Sequence, residues 1–349
     1  MKIAVVGAGF FGITTAIKLS SAGHRVKLFD LKDDILSSAS RTNQLRLHRG
    51  YHYPRSEETV QSLLDSLPKF LEVYGLASID SYDHHYSIAS EGSFLSGEQY
   101  ISFLEKCGLE YELVDKEKAG IVNSEKTDIL VKVRESLLDY YKIYEICKKM
   151  LLESKVELCL NTEFDSAWIA DYDKIVNCTY ASINKLTKWE NKREYQFEVC
   201  EKICVEPPPS LKGVSLVVMD GPFMCIDPYG DTGKSLLGNV VHAIHATNIG
   251  HTPIIPEHIF PYLNQGIVSI KEISNFEKFI ESGKSYIPCI DESKYIGSMF
   301  TIRAVLPYKD SSDERPTIVT RIDEKVINVF SGKIDTCVSA AEQVLELIK

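Results

Sequence analysis

Two short stretches of the sequence hold residue types that do chemistry. Near the N-terminus, Gly7-x-Gly9-x-x-Gly12 follows the apolar run "KIAVVG". Glycines at that spacing suit a phosphate-binding turn. The first permits the tight turn, the second lets backbone approach a pyrophosphate, and the third lets a helix pack closely on a strand. The second stretch, "NQLRLHRGYHYPRS" (Asn43 to Ser56), sets Arg46, His48, Arg49 and His52 among Leu45, Leu47, Tyr51 and Tyr53. Imidazole titrates where a general base is useful, and guanidinium forks fit carboxylates and phosphates. His48 is therefore a candidate base, with His52 the lesser one. Arg303, in "MFTIRAVLPY", is a candidate anion clamp. The competing interpretations are ordinary: a surface histidine in a polar loop, and an arginine paired with Asp310, Asp313 or Glu314.

These residues need a frame. "KIAVVG" reads as a strand buried on both faces. "FFGITTAIKLSSAG" has helical spacing and ends at Gly23, and "HRVKLFD" is the next strand, with Asp30 at its end. The resulting β–turn–α–β unit aims the N-terminus of a helix at a phosphate and an acid at ribose hydroxyls. Farther on, "EETVQSLLDSLPKFLEVY" reads as helical despite Pro68, as do "GEQYISFLEKCG" and "YYKIYEICKKMLLES". "HHYSIAS", "YELVD", "ILVKVRES", "VELCLNT" and "DKIVNCT" read as strands, and "FEVCEKICVE" and "GVSLVVMD" as longer antiparallel ones. Helical pieces are expected within "PYLNQGIVSIKEISNFEKFI". The C-terminal stretch predicts two strands, a Gly-Lys turn and a closing helix. The expected class is α/β (α+β): a Rossmann-like dinucleotide domain with a second lobe on a mostly antiparallel sheet. No linker separates the two, so the second lobe is expected to be visited more than once by the chain.

Composition removes several functions. With 349 residues, 44% of them hydrophobic, the chain can bury a large core. Its formal charge of −10 argues against nucleic acid as a partner. No apolar run reaches the roughly 20 residues of a membrane helix. The N-terminal apolar run is superficially like a signal peptide, but its glycine pattern reads as strand and turn, so a cytoplasmic protein is expected. Nine scattered cysteines, with Cys200 and Cys204 forming no CxxC, predict reduced thiols. "GDTGKS" is no P-loop, because Pro228 stands where the first glycine must be. His242, His245 and His251, and the adjacent His84 and His85, are not spaced to share a metal ion on a strand.

Several segments, in order along the chain, resemble the D-amino-acid-oxidase-like superfamily of FAD-dependent oxidoreductases. "NVFSGKIDTCVSAAEQVLELI" is similar to its closing segment, where a Gly-Lys turn leads into a last helix beneath the flavin. "DKIVNCTYAS" resembles its strand and turn beside the cofactor, and "SLLDYYKIYEICKKML" the helix before that strand. "ASRTNQLRLHRGYHY" resembles the segment near the flavin ring. The pattern is nearest to the glycerol-3-phosphate and 2-hydroxyglutarate dehydrogenase and glycine oxidase branches. In two places the sequence departs from the family: Tyr180 stands where a glycine is usual, and Cys178 where an alanine is usual.

The resemblance implies FAD held by Gly7, Gly9, Phe10, Phe11, Gly12, Asp30, Leu31, Arg41, Asn43, Leu47, His48, Thr179, Gly332, Lys333 and Ile334. It implies His48, Arg303 and Tyr229 at the chemistry, with Tyr229 reaching the ring face or simply packing in a turn. It places the FAD domain in 1–56, 136–190 and 300–349 and the substrate lobe in 57–135 and 191–299. The implied reaction is oxidation of a C–N or C–O bond in a small polar, anionic amino- or hydroxy-compound, with hydride passing to FAD. The electron acceptor is left open, as is attachment of FAD through a histidine. Three alternatives stand beside this one: a flavoenzyme acting on a sugar or nucleotide-sugar, a non-catalytic FAD-binding scaffold, and an NAD dehydrogenase.

Overall fold

Ile3 to Val6 are apolar without interruption, and such a strand is stable only where both its faces are covered. In the computed structural model, which describes residues 1–309 and 315–349, Lys2–Val6 lies inside a six-stranded sheet. The order is Ile318–Arg321, Val326–Phe330, Lys174–Asn177, Lys2–Val6, Arg25–Phe29 and Glu157–Cys159. Neighbours run parallel except at the Ile318–Arg321 edge, which is antiparallel. Ile3 and Val5 point to a face covered by the helices Phe10–Ser21, Glu57–Tyr74, Tyr140–Glu153 and Cys337–Ile348. Ala4 and Val6 point to the other face, where Phe29, Phe164, Tyr172 and Leu186 close the core.

Local chemistry starts and holds these helices. The Asp139 carboxylate accepts from the Tyr141 and Lys142 N–H groups, capping Tyr140–Glu153. Ser56 caps Glu57–Tyr74 through the Thr59 N–H. That helix tolerates Pro68 because Val60, Leu63, Leu67, Phe70 and Tyr74 bury a continuous stripe. Tertiary packing, not propensity, decides its stability.

The second sheet is nine-stranded. Its path is Ile244–Gly250, Tyr195–Glu206, Ser235–Asn239, Met224–Pro228, Val214–Met219, Asp83–Ala89, Thr127–Val133 and Tyr111–Leu113, with Lys294–Val305 also on Tyr195–Glu206. All pairs are antiparallel except Val214–Met219 with Asp83–Ala89, which is parallel. A third, small antiparallel sheet pairs Ser136–Leu138 with Arg46–Leu47 and Ser78–Ile79. The span after Pro253 is less helical than its sequence suggests. It contains a 3₁₀ turn at Phe260–Tyr262 and a helix at Phe276–Gly283. Between them the chain runs beside Lys294–Val305, bridging at Leu263 with Phe300 and Val268 with Ser298.

Among the described residues, no helix is long and apolar enough to cross a membrane. The nine cysteines are free thiols.

Candidate active site

At two of its three glycines the turn leaves no room for another residue. Gly7 has φ +105°, and a Cβ there would lie 2.6 Å from the Cys178 carbonyl oxygen. A Cβ on Gly12 would lie 1.7 Å from the Gly7 carbonyl oxygen. Both obstacles are backbone, so neither can move aside. The Asp30 carboxylate accepts from the Ala8 N–H at 2.6 Å and the Lys32 N–H at 2.9 Å. A carboxylate has about four acceptor sites, so capacity for ribose hydroxyls is left. Phe10 and Phe11 bury their rings in the core and offer the turn only backbone, whereas Leu31 is exposed. Ser40, which no sequence motif singles out, accepts the Phe10 N–H at 3.3 Å.

The segment after the second strand is ordered by its own side chains. Asn43 donates to the Ser40 carbonyl at 2.8 Å and accepts the Leu45 N–H at 2.7 Å. This Asx-type pairing helps hold Leu45 at φ +54°. Leu47 is then buried opposite Ser136. The Arg41 guanidinium carbon lies 5.7 Å from the Tyr140 ring centre, and the guanidinium presses on Gly266, where a Cβ would approach it to 2.7 Å. Tyr229 is buried in the same core, its ring 6.5 Å from that of Tyr141. Its N–H donates to the Lys234 carbonyl, closing the turn that contains "GDTGKS".

His48 stands in a buried polar cluster. Its Nδ1 lies 3.5 Å from Glu135 Oε1, a charge contact without hydrogen-bond geometry. The His52 and Tyr53 rings lie 5.3 Å from its centre. The Lys333 ammonium sits 4.4 Å from the Tyr53 ring centroid. Burial, with Lys333 adding to it, pushes the His48 imidazole down to about 4, against the pull of Glu135. The imidazole is therefore a neutral acceptor at pH 7. Burial pushes Lys333 down to about 8, with Asp335 opposing. Burial likewise raises the Asp335 carboxyl to about 7, against Lys333. Arg46, which the sequence offered as an anion ligand, is already committed. It bonds Glu135 at 2.9 Å and Asp227, and only 3% of its side chain is exposed.

The remaining positions come from the two chain returns. Gly332 donates its N–H to Thr317 Oγ1 at 2.9 Å, and a Cβ there would meet the Arg315 carbonyl at 2.1 Å. Ile334 packs on the main core. Thr179 donates its hydroxyl to Asn177 Oδ1 at 2.7 Å. Tyr180, in the usual glycine position, takes φ +53°. Arg303 lies opposite Glu198 across Tyr195–Glu206 and Lys294–Val305, and both its Nε and Nη2 bond Glu198 Oε2. Glu198 also accepts from Gln196 at 2.8 Å. Asp310, Asp313 and Glu314, the partners weighed from sequence, lie outside the described residues.

The structure thus gathers His48, Lys333 and the residues around them, and sets Arg303 with Glu198 and Tyr229 with Tyr141. Glu135 and Glu198 are missed by sequence reasoning, because each is an isolated acid with no motif around it, and Asp335 is missed although it closely follows the Gly-Lys turn. Among the described residues no His, Cys, Asp and Glu cluster could hold a metal. His245 bonds Glu201 at 2.8 Å instead.

Residues 2–203 match the model of the FAD dependent oxidoreductase family, DAO. The chain belongs to this family. It is an FAD-dependent oxidoreductase, and FAD is its cofactor. Over 355 residues it is 27% identical to the FAD-dependent monooxygenase FPY4 of Fusarium mangiferae, covering 99% of this chain and 91% of that one. It is also 27% identical over 378 residues to the FAD-dependent monooxygenase kojA of Aspergillus flavus, covering 100% and 86%. Its fold is similar to glycine oxidase from Geobacillus kaustophilus (TM-score 0.71, 14% identity, 99% and 94% covered). It is likewise similar to L-α-glycerophosphate oxidase from Mycoplasma pneumoniae (TM-score 0.70, 14% identity, 99% and 94% covered).

The residues present fit FAD. Arg41 Nε, Thr42 Oγ1, Gln44 Oε1 and Asp335 Oδ2 are buried without hydrogen-bond partners in the protein. Buried polar atoms are normally paired. All four lie in the two segments that resemble the family's stretches around the cofactor.

Proposed function

We propose that this FAD-dependent oxidoreductase oxidises a C–N or C–O bond in a small polar, anionic amino- or hydroxy-compound. Bound FAD supplies the hydride acceptor. As the hydride leaves carbon, His48 takes the proton from the substrate nitrogen or oxygen, and a C=N or C=O bond forms. The observation carrying this reading is the cluster that sets the His48 imidazole against Glu135, His52 and Tyr53, with Lys333 of the Gly-Lys turn over the Tyr53 ring. Fifteen per cent of the His48 side chain is exposed, so it is not sealed in the core. The FAD-binding role is assigned to Gly7, Gly9, Phe10, Phe11, Gly12, Asp30, Leu31, Arg41, Asn43, Leu47, Thr179, Gly332, Lys333 and Ile334, several through backbone alone. This assignment goes with a division into 1–56, 136–190 and 300–349 for FAD and 57–135 and 191–299 for substrate. Arg303 is the anion clamp on this reading, with Glu198 as its resting partner, and Tyr229 is the third residue assigned to the chemistry.

A second reading, oxygen insertion, is favoured by the names of the two fungal relatives. The flavin spectrum separates the two. On the first reading, an amino- or hydroxy-acid panel bleaches the flavin anaerobically without added nicotinamide. His48→Asn then retains FAD but slows bleaching about 100-fold. Bleaching that requires NADH or NADPH supports the second reading and sinks the first. Full speed in His48→Asn removes His48 from the mechanism.

A further inference from the structure

Glu135 has no place in the chemistry above, yet it is the most constrained acid beside it. It follows Thr127–Val133, and none of its side chain is exposed. Its Oε2 accepts from Arg46 at 2.9 Å and from the Tyr86 hydroxyl at 2.8 Å. Its Oε1 accepts the Arg49 N–H at 3.3 Å and faces His48 Nδ1. Arg46 is itself fixed by Asp227, which accepts the Ser215 hydroxyl at 2.6 Å. One carboxylate oxygen is therefore spent on holding the group still, and the other is presented to the imidazole.

A neutral imidazole beside an anionic oxygen places its one proton on the nitrogen that faces it. The flanking His52 and Tyr53 rings limit rotation of the imidazole. Closing the 3.5 Å gap to a hydrogen bond takes a shift of about 0.6 Å, and such contacts tighten when a catalytic site is loaded. We propose that Glu135 is the positioning residue of this site, holding His48 as the Nδ1–H tautomer so that Nε2 is the proton acceptor. The proposal rests on the reading of His48 as the base.

The surrounding charges fix the sign of a titration. Lys333 and Arg46 push His48 down, and Glu135 alone among its named neighbours pushes it up. His52 lies beside it, itself held well below the usual imidazole range by burial and then by His48. Facing Glu135 from other elements are Tyr86 and His84 of Asp83–Ala89, Tyr100 of Gly97–Lys106, and Asp335 beyond Lys333. Tyr51 and Arg49 face it from the segment of His48. Burial favours the protonated form of Glu135. His48 and Arg46 outweigh it and hold the carboxyl well below the usual range, so it stays ionised. Removing this charge lowers the His48 midpoint. Removing the Tyr86 hydroxyl, which partly neutralises the carboxylate, raises it.

The test is ¹⁵N NMR of the FAD-loaded protein carrying ring-labelled histidine, with His48 identified by the signal lost in His48→Asn. At pH 7 the wild type is expected to show a protonated Nδ1 and an unprotonated Nε2. Glu135→Gln is expected to mix the tautomers and lower the midpoint by about 1 unit. Tyr86→Phe is expected to keep the tautomer and raise the midpoint, and it serves alone where Glu135→Gln does not fold. An Nε2–H tautomer in the wild type overturns the proposal, as does a Tyr86→Phe midpoint that stays or falls. Neither result depends on turnover. If His48→Asn reduces its flavin at full speed while the tautomer is as expected, the base assignment fails and the pairing stands.

Discussion

Tyr180 gives a direct check on how the cofactor-side turn is held. It sits at φ +53°, in the left-handed region, which costs a non-glycine residue roughly 1 kcal/mol. Its ring offsets that cost by packing with Ile183, Phe330 and Ala304. Two variants separate the terms. Tyr180→Ala loses the ring and keeps the strained backbone; Tyr180→Gly loses both. In regular structure alanine is the more stable of the two by about 1 kcal/mol. Here the order is expected to reverse, with glycine ahead by about 1 kcal/mol and both variants below wild type. At about 2.1 cal/mol/K per residue, the 349 residues carry an unfolding entropy of about 0.7 kcal/mol/K. The gap then corresponds to about 1.4 °C in Tm, within reach of replicate thermal scans on FAD-loaded protein, and to a matching shift of urea midpoint. An alanine variant as stable as the glycine variant would refute the reasoning, because the strain would then not be intrinsic to the turn.

Two further outcomes follow from geometry described above. Gly12→Ala, whose Cβ would lie 1.7 Å from the Gly7 carbonyl oxygen, is expected to yield insoluble or colourless protein; a soluble variant with one FAD per chain contradicts the packing. His84 is 1% exposed with neither ring nitrogen paired, and burial pushes it down to about 4 from an ordinary 6.5. The unfolded chain takes up that proton first as pH falls, so this stability is present above about 6.5 and is lost on the way to about 4. His84→Leu is therefore expected to gain about 1 kcal/mol over wild type at pH 7 and more at pH 5, read by urea unfolding at both; a gain that shrinks on acidification would show that His84 is not held neutral.

The parts of this enzyme legible in its sequence are those fixed by neighbours a few residues away. A Cβ on Gly12 is excluded by the Gly7 carbonyl of the same turn, and Asp30 sits at the end of its strand, so the phosphate turn can be read directly. His48 stands out because imidazole is scarce among the apolar residues flanking it. Glu135 lies 86 residues from the Arg49 N–H it accepts, and a lone acid in "VRES" has no local signature. The Arg303–Glu198 pair depends on the register of two 12-residue strands, which no single-strand pattern encodes. The same limit explains why Val214–Met219 read as purely antiparallel. Its alternation fixes which face is buried, not the direction of the strand that comes beside it from residue 83.

The six-stranded sheet carries a consequence for how the enzyme is made. Lys2–Val6 precedes its neighbour Lys174–Asn177 by nearly half the chain, and Val326–Phe330 comes later still. The first helix rests on Cys337–Ile348. Throughout synthesis, then, the glycine turn exists on a nascent chain whose apolar first strand and helix have no permanent cover. Until Cys337–Ile348 docks, the nascent chain exposes apolar surface and is a natural client for chaperones.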